Sequence, residues 1–190
     1  MKLLLYCVKA KPYLYKTEET MVEKMFGDYH TQLNKAVLSD DCLNGKIVAE
    51  CDFEVEEIEY SKDYNGWLWY TTKSLWENKL QYLSCLSAND LEDYLGDKGG
   101  YAIHIKNLHI FDYPRELDEY EYTRRVKGEP ILRAVLTEAP QNMQKIIAYG
   151  TDAILISIRP EWLCKILNGE KFVEVRKTVL KEMITSGNNQ

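Results

Sequence analysis

The stretch AILISIRPEWLCKILNGEKFVEVRK, residues 153–177, decides the fold of this chain. AILISI is an apolar run of strand length, and Pro160 fits the first position of a helix, which needs no N–H. Gly169 is suited to end that helix in a left-handed turn. Beyond it the residues alternate, with Val173 and Val175 on one face, as in a strand. We therefore predict a strand, a short helix, a tight turn and a second strand.

The rest of the chain has the pattern of several strands with short helices between them. Residues 44–60 open with an Asn-Gly turn signal and continue as a long strand whose pattern wavers, as in a bulged, curving strand. Further predicted elements are strands at 2–8, at 101–114 with Pro114 as its end, and at 131–136; helices at 18–43 and at 87–96 with Ser87 as N-cap; and a helical turn at 115–120. This pattern predicts the α+β class, as a small β-barrel of mixed pairing with short flanking helices.

The composition favours one domain in a reducing compartment. The chain has 190 residues, 45% of them hydrophobic, and no linker-like stretch, so we expect a single domain over residues 1–182 and a flexible tail at 183–190. No apolar run approaches the ~20 residues that a membrane span requires, so we expect no membrane partner. The five cysteines are scattered and form no Cys-x-x-Cys, which argues against a metal site and against a disulfide framework and favours the cytoplasm.

The net charge of −6 is distributed unevenly along the chain. Residues 1–16 carry four lysines and no acid, and residues 159–181 carry six basic residues against three acids. If the two ends meet, they form a basic zone on an acidic protein, and such a zone can hold a nucleic acid or another anion. The alternative is a solvated surface of mixed charge. The acidic total argues against non-specific binding of long nucleic acid, which depends on many phosphate contacts.

The stretch at 153–178 resembles the signature of the ASCH domain, a PUA-like β-barrel family. The shared pattern is a strand, a helix led by proline, and then Gly-x-Lys-x-x-Glu-x-Arg, which is Gly169, Lys171, Glu174 and Arg176 here. The chain is similar to versions of this family that are common in phage and prophage genes. The resemblance also covers most of residues 1–16, 44–60 and 84–143, where EAPQNM is similar to the family's closing Ala-Pro-Gln.

In the family this signature comes first, whereas here it stands near the end of the sequence. We therefore predict a circular permutation, in which residues 2–8 form the strand that normally follows the signature and lie beside residues 172–177. The alternative is an incomplete second copy of the domain, completed by another chain in a swapped dimer. A monomer and a swapped dimer therefore both stay open.

The resemblance implies that the protein binds RNA or a modified nucleoside in a basic cleft beside the signature, without a cofactor. Cations beside a carboxylate can grip a phosphate or a nucleobase, and the predicted ligand-binding residues are Lys171, Glu174, Arg176, Arg159 and Lys9. Charge reversal at Lys171 and Arg176 should then abolish ligand binding and leave folding intact. The alternative is that Glu174 and Arg176 pair with cross-strand neighbours and serve the structure.

The resemblance also brings in a hydrolase alternative. Some relatives remove the acetyl group from acetylated cytidine with the signature lysine, a threonine three residues later and a glutamate elsewhere. Lys171 and Glu174 are therefore candidate catalytic residues, since a buried lysine can lose its proton. Glu174 stands at the threonine position, however, and the third residue is expected near Ser84, where the sequence has no carboxylate closer than Glu77 and Asp90. A ribonuclease and a protein-interaction module of phage origin are further alternatives, so whether the chain is an enzyme stays open.

The stretch 60–82 is rich in aromatic residues. Trp67, Trp69, Tyr70 and Trp76 either stack nucleobases, as in single-strand binders, or fill a core and cover the end of a barrel.

Overall fold

The computed structural model describes residues 1–9, 45–124 and 132–186. Within these ranges the chain forms nine strands and four short helices and belongs to the predicted α+β class. The strands are β1 (Lys2–Cys7), β2 (Ile47–Lys62), β3 (Leu68–Thr71), β4 (Gly100–Arg115), β5 (Glu121–Arg124), β6 (Leu132–Val135), β7 (Met143–Ala148), β8 (Thr151–Ile158) and β9 (Val173–Arg176). The helices are α1 (Glu77–Ser84), α2 (Ala88–Leu95), α3 (Pro160–Leu167) and α4 (Lys181–Ser186).

The strands form one sheet of mixed pairing. Its order is β6-β5-β7-β8-β1-β2-β4-β9, and β3 pairs with β2 beside this path. β1 pairs in parallel with β8, and six further pairs are antiparallel: β1 with β2, β2 with β3, β4 with β9, β5 with β6, β5 with β7 and β7 with β8. The mixed pairing agrees with the prediction. The path that the described strands follow runs from β6 to β9 and is not closed, so the predicted closure into a barrel is not shown.

The chain divides into two compact units, each made of two segments. The first unit comprises Met1–Cys51 and Leu108–Asn168, and the second comprises Asp52–Asn107 and Gly169–Gln190. Each unit has its own apolar core. Buried core residues of the first unit are Leu4, Tyr6, Ile47, Phe111, Tyr120, Leu136, Ile146, Ala148, Ala153 and Leu155; those of the second are Ile58, Tyr70, Leu75, Leu80, Leu91, Leu95, Ala102, Val173 and Val175.

In the first unit, β1 lies between β2 and β8. Leu3 is paired with Cys51 on one side and with Ile154 on the other. The leucines at positions 3, 4 and 5 are fully buried, so the predicted strand at 2–8 is present and is covered on both faces. A continuous apolar run such as AILISI in β8 suits parallel pairing, because both strands of the pair are then covered on both faces.

Residues 2–8 and 172–177 were predicted to lie side by side. The strands that they form do not pair, so this prediction is wrong for the pairing of the strands. β1 pairs with β2 and β8, whereas β9 pairs with β4, where Tyr101 is opposite Arg176 and His104 is opposite Val173. The chain end at β1 therefore meets the first strand of the signature rather than its second. The physical reason is that β1 and β8 are both continuously apolar, while β9 has the alternating pattern.

The predicted start and stop of two helices are confirmed. At the start of α2, the Ser87 hydroxyl accepts a hydrogen bond from Asp90 N, and the Asp90 carboxylate accepts one from Ser87 N, which satisfies two free N–H groups. Pro160 is the first residue of α3, and Gly169 follows its last turn with a φ of +67°. Since this φ favours glycine, the turn into β9 is encoded by the sequence.

Several boundaries differ from the prediction. β4 continues through Pro114 to Arg115, and β7 forms where no element was predicted. α4 covers Lys181–Ser186 with Met183 buried, so the predicted flexible tail from residue 183 begins inside a helix. The predicted helix at 18–43 lies outside the described residues. None of the described helices has the length and apolar character that crossing a membrane requires.

Candidate functional site

The five predicted ligand-binding residues belong to different units. Lys171, Glu174 and Arg176 lie in the second unit, whereas Lys9 and Arg159 lie in the first. Arg159 is exposed at the N-cap position of α3. The two groups are therefore described separately.

Lys171, Glu174 and Arg176 form an ionic cluster in the second unit. One carboxylate oxygen of Glu174 lies 3.4 Å from Lys171 Nζ, and the other lies 2.8 Å from Arg176 Nε. Lys171 is 3% exposed and Glu174 is 7% exposed, so solvent hardly reaches the shared carboxylate. Among the described residues, the ion pairs of Glu174 are therefore with its neighbours in the motif.

The ionic cluster also holds the end of α1. Lys171 Nζ donates a hydrogen bond to the carbonyl of Ser84 at 2.6 Å, and Phe172 N donates one to the carbonyl of Leu83 at 2.8 Å. The last carbonyls of a helix have no partner within it, and a cation there is favourable because the helix end carries a partial negative charge. The signature lysine thus joins α1 to the turn that leads into β9.

Burial lowers the pKa of the Lys171 ammonium, and the neighbouring Glu174 carboxylate partly opposes this shift. The hydrolase alternative requires such a lysine, yet it also requires that a substrate reach it. At Ser84, where the resemblance places a carboxylate, Lys171 contacts a backbone carbonyl instead. Lys171 itself is buried. The cluster therefore has the geometry of a structural ion network more than that of an open catalytic site.

The burial of the cluster also changes an expectation from the sequence. Charge reversal at Lys171 and Arg176 was expected to leave folding intact. In the structure, acidic side chains at these positions would face the buried Glu174 carboxylate without any cation. Like charges in a buried place are strongly unfavourable, so this double variant is expected to unfold the protein.

The first unit contains a pocket of about 730 Å³. Its volume falls within the range of roughly 300–1,000 Å³ that is usual for small-molecule sites. The described residues that line it are Tyr6, Val8, Lys9, Gly45, Glu116, Leu117, Asp118, Leu136, Thr137, Glu138, Ala139, Pro140, Gln141 and Ser157. We refer to it below as the first-unit pocket.

Three segments that carry the family resemblance meet at this pocket. Lys9 follows the chain's first strand, Ser157 belongs to the first strand of the signature, and Pro140 belongs to the EAPQNM segment. Ser157 Oγ donates a hydrogen bond to the carbonyl of Pro140 at 2.5 Å, and Ser157 N donates one to the carbonyl of Asn142 at 2.9 Å. These bonds hold the EAPQNM segment against β8.

The described residues that line the first-unit pocket are more acidic than basic. The described lining contains one lysine, Lys9, and three carboxylates, those of Glu116, Asp118 and Glu138. Of these, Glu116 forms an ion pair with Lys46. Sequence reasoning identified Lys9 and missed the acids, because single exposed carboxylates carry no motif; the only signal was the EAPQNM segment that contains Glu138.

Lys9 reaches the pocket over a residue without a side chain. Gly45 has a φ of +79°, and a Cβ built on it would lie 2.5 Å from Lys9 Cε. Gly45 N donates a hydrogen bond to the carbonyl of Cys7 at 2.9 Å, which ties the two chain segments together. The stem of Lys9 therefore lies directly on the backbone at Gly45.

The aromatic stretch divides between core and surface. Tyr70 is fully buried, as the core alternative predicts, whereas Trp67, Trp69 and Trp76 are exposed. Among the described residues, no group of three histidine, cysteine or acidic side chains has the geometry of a metal site.

Comparison with protein-family models, with curated proteins and with solved structures finds no match for this chain. The ASCH resemblance therefore stays a prediction based on the signature residues.

Proposed function

We propose that this protein is an ASCH-like, PUA-like-fold protein that binds a modified nucleoside in the first-unit pocket. The observation that carries the proposal is the convergence of Lys9, Ser157 and the EAPQNM segment on one cavity. These three segments are distant in the sequence and resemble parts of a nucleoside-binding family. The parallel pairing of β1 with β8 supports the permuted order, because it joins the chain's first strand directly to the signature.

The charges of the pocket favour a nucleoside over an RNA strand. Carboxylates such as Glu138 and Asp118 can accept hydrogen bonds from the amino groups of a nucleobase. Lys9 can pair with a carbonyl of the base or with a single phosphate. An RNA strand would need several cations along its backbone, and the described lining supplies one.

Calorimetric titration with cytidine, N4-acetylcytidine, adenosine and a short single-stranded RNA tests the proposal. We expect at least one nucleoside to bind and the RNA to bind more weakly. Asp118→Asn and Lys9→Met should each reduce nucleoside affinity. The matched controls are Asp112→Asn and Lys145→Met, which change exposed residues of the same unit outside the pocket lining.

Two outcomes would contradict the proposal. One is the absence of binding for every nucleoside tested, and the other is nucleoside binding that both pocket variants leave unchanged. Acetate release from N4-acetylcytidine, measured in the same samples, tests the hydrolase alternative independently of affinity.

A further inference from the structure

β2 and β3 form a hairpin whose paired part, Glu59–Lys62 with Leu68–Thr71, belongs to the second unit. Its strands pair in register, with Glu59 opposite Thr71 and Ser61 opposite Trp69. The turn is fixed by Asp63, whose carboxylate accepts hydrogen bonds from the N–H groups of Asn65 and Trp67, both at 2.9 Å. A short Asx-type turn of this kind sets the register of the strands that it joins.

The two faces of this hairpin differ in composition. On the inner face, Ile58 and Tyr70 are buried in the core of the second unit. On the outer face, Trp69 is 49% exposed and Trp67, two residues earlier, is 65% exposed. Since side chains two residues apart in an extended chain share a face, we expect both indoles on the outer face, although Trp67 lies one residue before β3. We call this the hairpin surface, made of Trp67, Trp69, Glu57 and Glu59.

The hairpin surface is acidic as well as aromatic. Glu57 and Glu59 are exposed. They lie on the same face of β2 as Ser61, which is opposite Trp69. Within the described part of the chain, neither carboxylate has a salt bridge. Other acids of β2 differ in this respect, because Glu54 pairs with Lys106 and Glu56 with His104. The free carboxylates are thus gathered on the face that carries the tryptophans.

We propose that the hairpin surface binds a basic, arginine-rich segment of a partner protein. A guanidinium group is attracted to the face of an exposed indole and forms charge-assisted hydrogen bonds with a carboxylate. Glu59 lies diagonally across from Trp69, so one arginine can contact both side chains. Tryptophan is also among the residues that contribute most to protein interfaces.

The charges argue against a nucleic acid at this surface. An RNA base can stack on an indole, but its phosphates would approach Glu57 and Glu59 and be repelled. The nearby Lys62 does not offset this repulsion, since it is opposite Leu68 on the other face of the hairpin. The proposal is independent of nucleoside binding in the first-unit pocket.

A fluorescence titration with a short peptide of alternating arginine and serine tests the proposal at about 0.15 M salt, where long-range attraction is largely screened. The same peptide with citrulline in place of arginine has nearly the same shape without the charge, and it should not bind. Trp67→Ala and Trp69→Ala should each weaken binding about three-fold, as expected of an exposed cation–π contact. The double variant Glu57→Gln, Glu59→Gln should weaken it further.

Matched controls separate the hairpin surface from the general acidity of the protein. Trp76→Ala removes an indole that is 83% exposed but lies outside the hairpin. The double variant Glu92→Gln, Asp93→Asn removes two charges from the exposed face of α2. Both controls should bind the arginine peptide like the wild type.

Three outcomes would overturn the proposal. The first is that the arginine peptide fails to bind. The second is that the citrulline peptide binds as tightly as the arginine peptide. The third is that the hairpin variants and the matched controls lose affinity alike. A short oligouridine provides a fourth test. If it binds and Trp67→Ala and Trp69→Ala abolish that binding, the surface is a base-stacking platform and not a site for a basic peptide.

Discussion

The ionic cluster of the second unit and the first-unit pocket use charged side chains in opposite ways. In the cluster, Lys171 and Glu174 are nearly inaccessible, and each charge faces an opposite charge or a carbonyl. In the pocket, Lys9, Asp118 and Glu138 are exposed along an open cavity. The first arrangement satisfies its charges within the fold, while the second leaves charges available to a ligand.

This difference shows that a motif of charged residues can serve the fold instead of facing an open cavity. The signature residues were the strongest predicted site because lysine, glutamate and arginine are suited to phosphate and base recognition. The same three residue types also form a compact ion network when a strand and a helix end enclose them. Which of the two occurs depends on burial, and burial follows from the neighbouring elements.

The largest effect is expected from Glu174→Ala. It leaves Lys171 and Arg176 without their shared carboxylate in a buried place, so the free energy of unfolding should fall by about 3–5 kcal/mol. Urea unfolding followed by circular dichroism measures this loss. Glu92→Ala makes the same change at an exposed position of α2 in the same unit and should alter stability by less than about 0.5 kcal/mol.

A loss below about 1 kcal/mol for Glu174→Ala, the value of an exposed ion pair, would break the comparison. It would mean that the ionic cluster is open to solvent and available to a ligand.

A smaller effect is expected in the pH dependence of stability. Because burial lowers the pKa of Lys171 from the ordinary 10.5, the unfolded chain holds this proton more tightly than the folded one. The contribution of this group to the free energy of unfolding therefore rises with pH, from the lowered folded pKa up to the unfolded value. Lys171→Met should lack this rise. Urea unfolding at several alkaline pH values measures it.

Lys79→Met, at an exposed position of α1, is the control and should follow the wild type. Parallel curves for the wild type and Lys171→Met would show that Lys171 keeps an ordinary pKa in the folded protein.

Local signals predicted much of the fold. The strand, helix, turn and strand around Pro160 and Gly169, the cap at Ser87 and the long strand β2 were all predicted from residue types and spacing. These features depend on neighbours within a few residues, so one sequence is sufficient to find them. β3, β7 and α1 were not predicted, because their stretches are short or mix aromatic and polar residues without a clear period.

Strand pairing and burial could not be predicted in the same way. β1 was expected beside β9 and pairs instead with β2 and with β8, and the residues of β8 lie about 150 positions away in the sequence. The acids of the first-unit pocket come from segments that meet only in three dimensions. Lys9 was identified by its charge and by the resemblance, but nothing in the sequence placed it in one pocket with Asp118 and Glu138.

The smallest effect tests the role of Lys9 directly, through Gly45→Ala. An added Cβ would lie 2.5 Å from Lys9 Cε, so the lysine stem must leave its place on the backbone. Gly150→Ala is the matched control, since its φ of +80° is nearly the same as the +79° of Gly45, while no atom lies within 4 Å of its added Cβ. Both variants should lose about 1 kcal/mol of stability from the positive φ. Gly45→Ala alone should also weaken nucleoside binding about three-fold, the size of one exposed charge contact, in the calorimetric titration. Equal affinities for the two variants would remove Lys9 from the site and leave the carboxylates as the groups that hold the ligand.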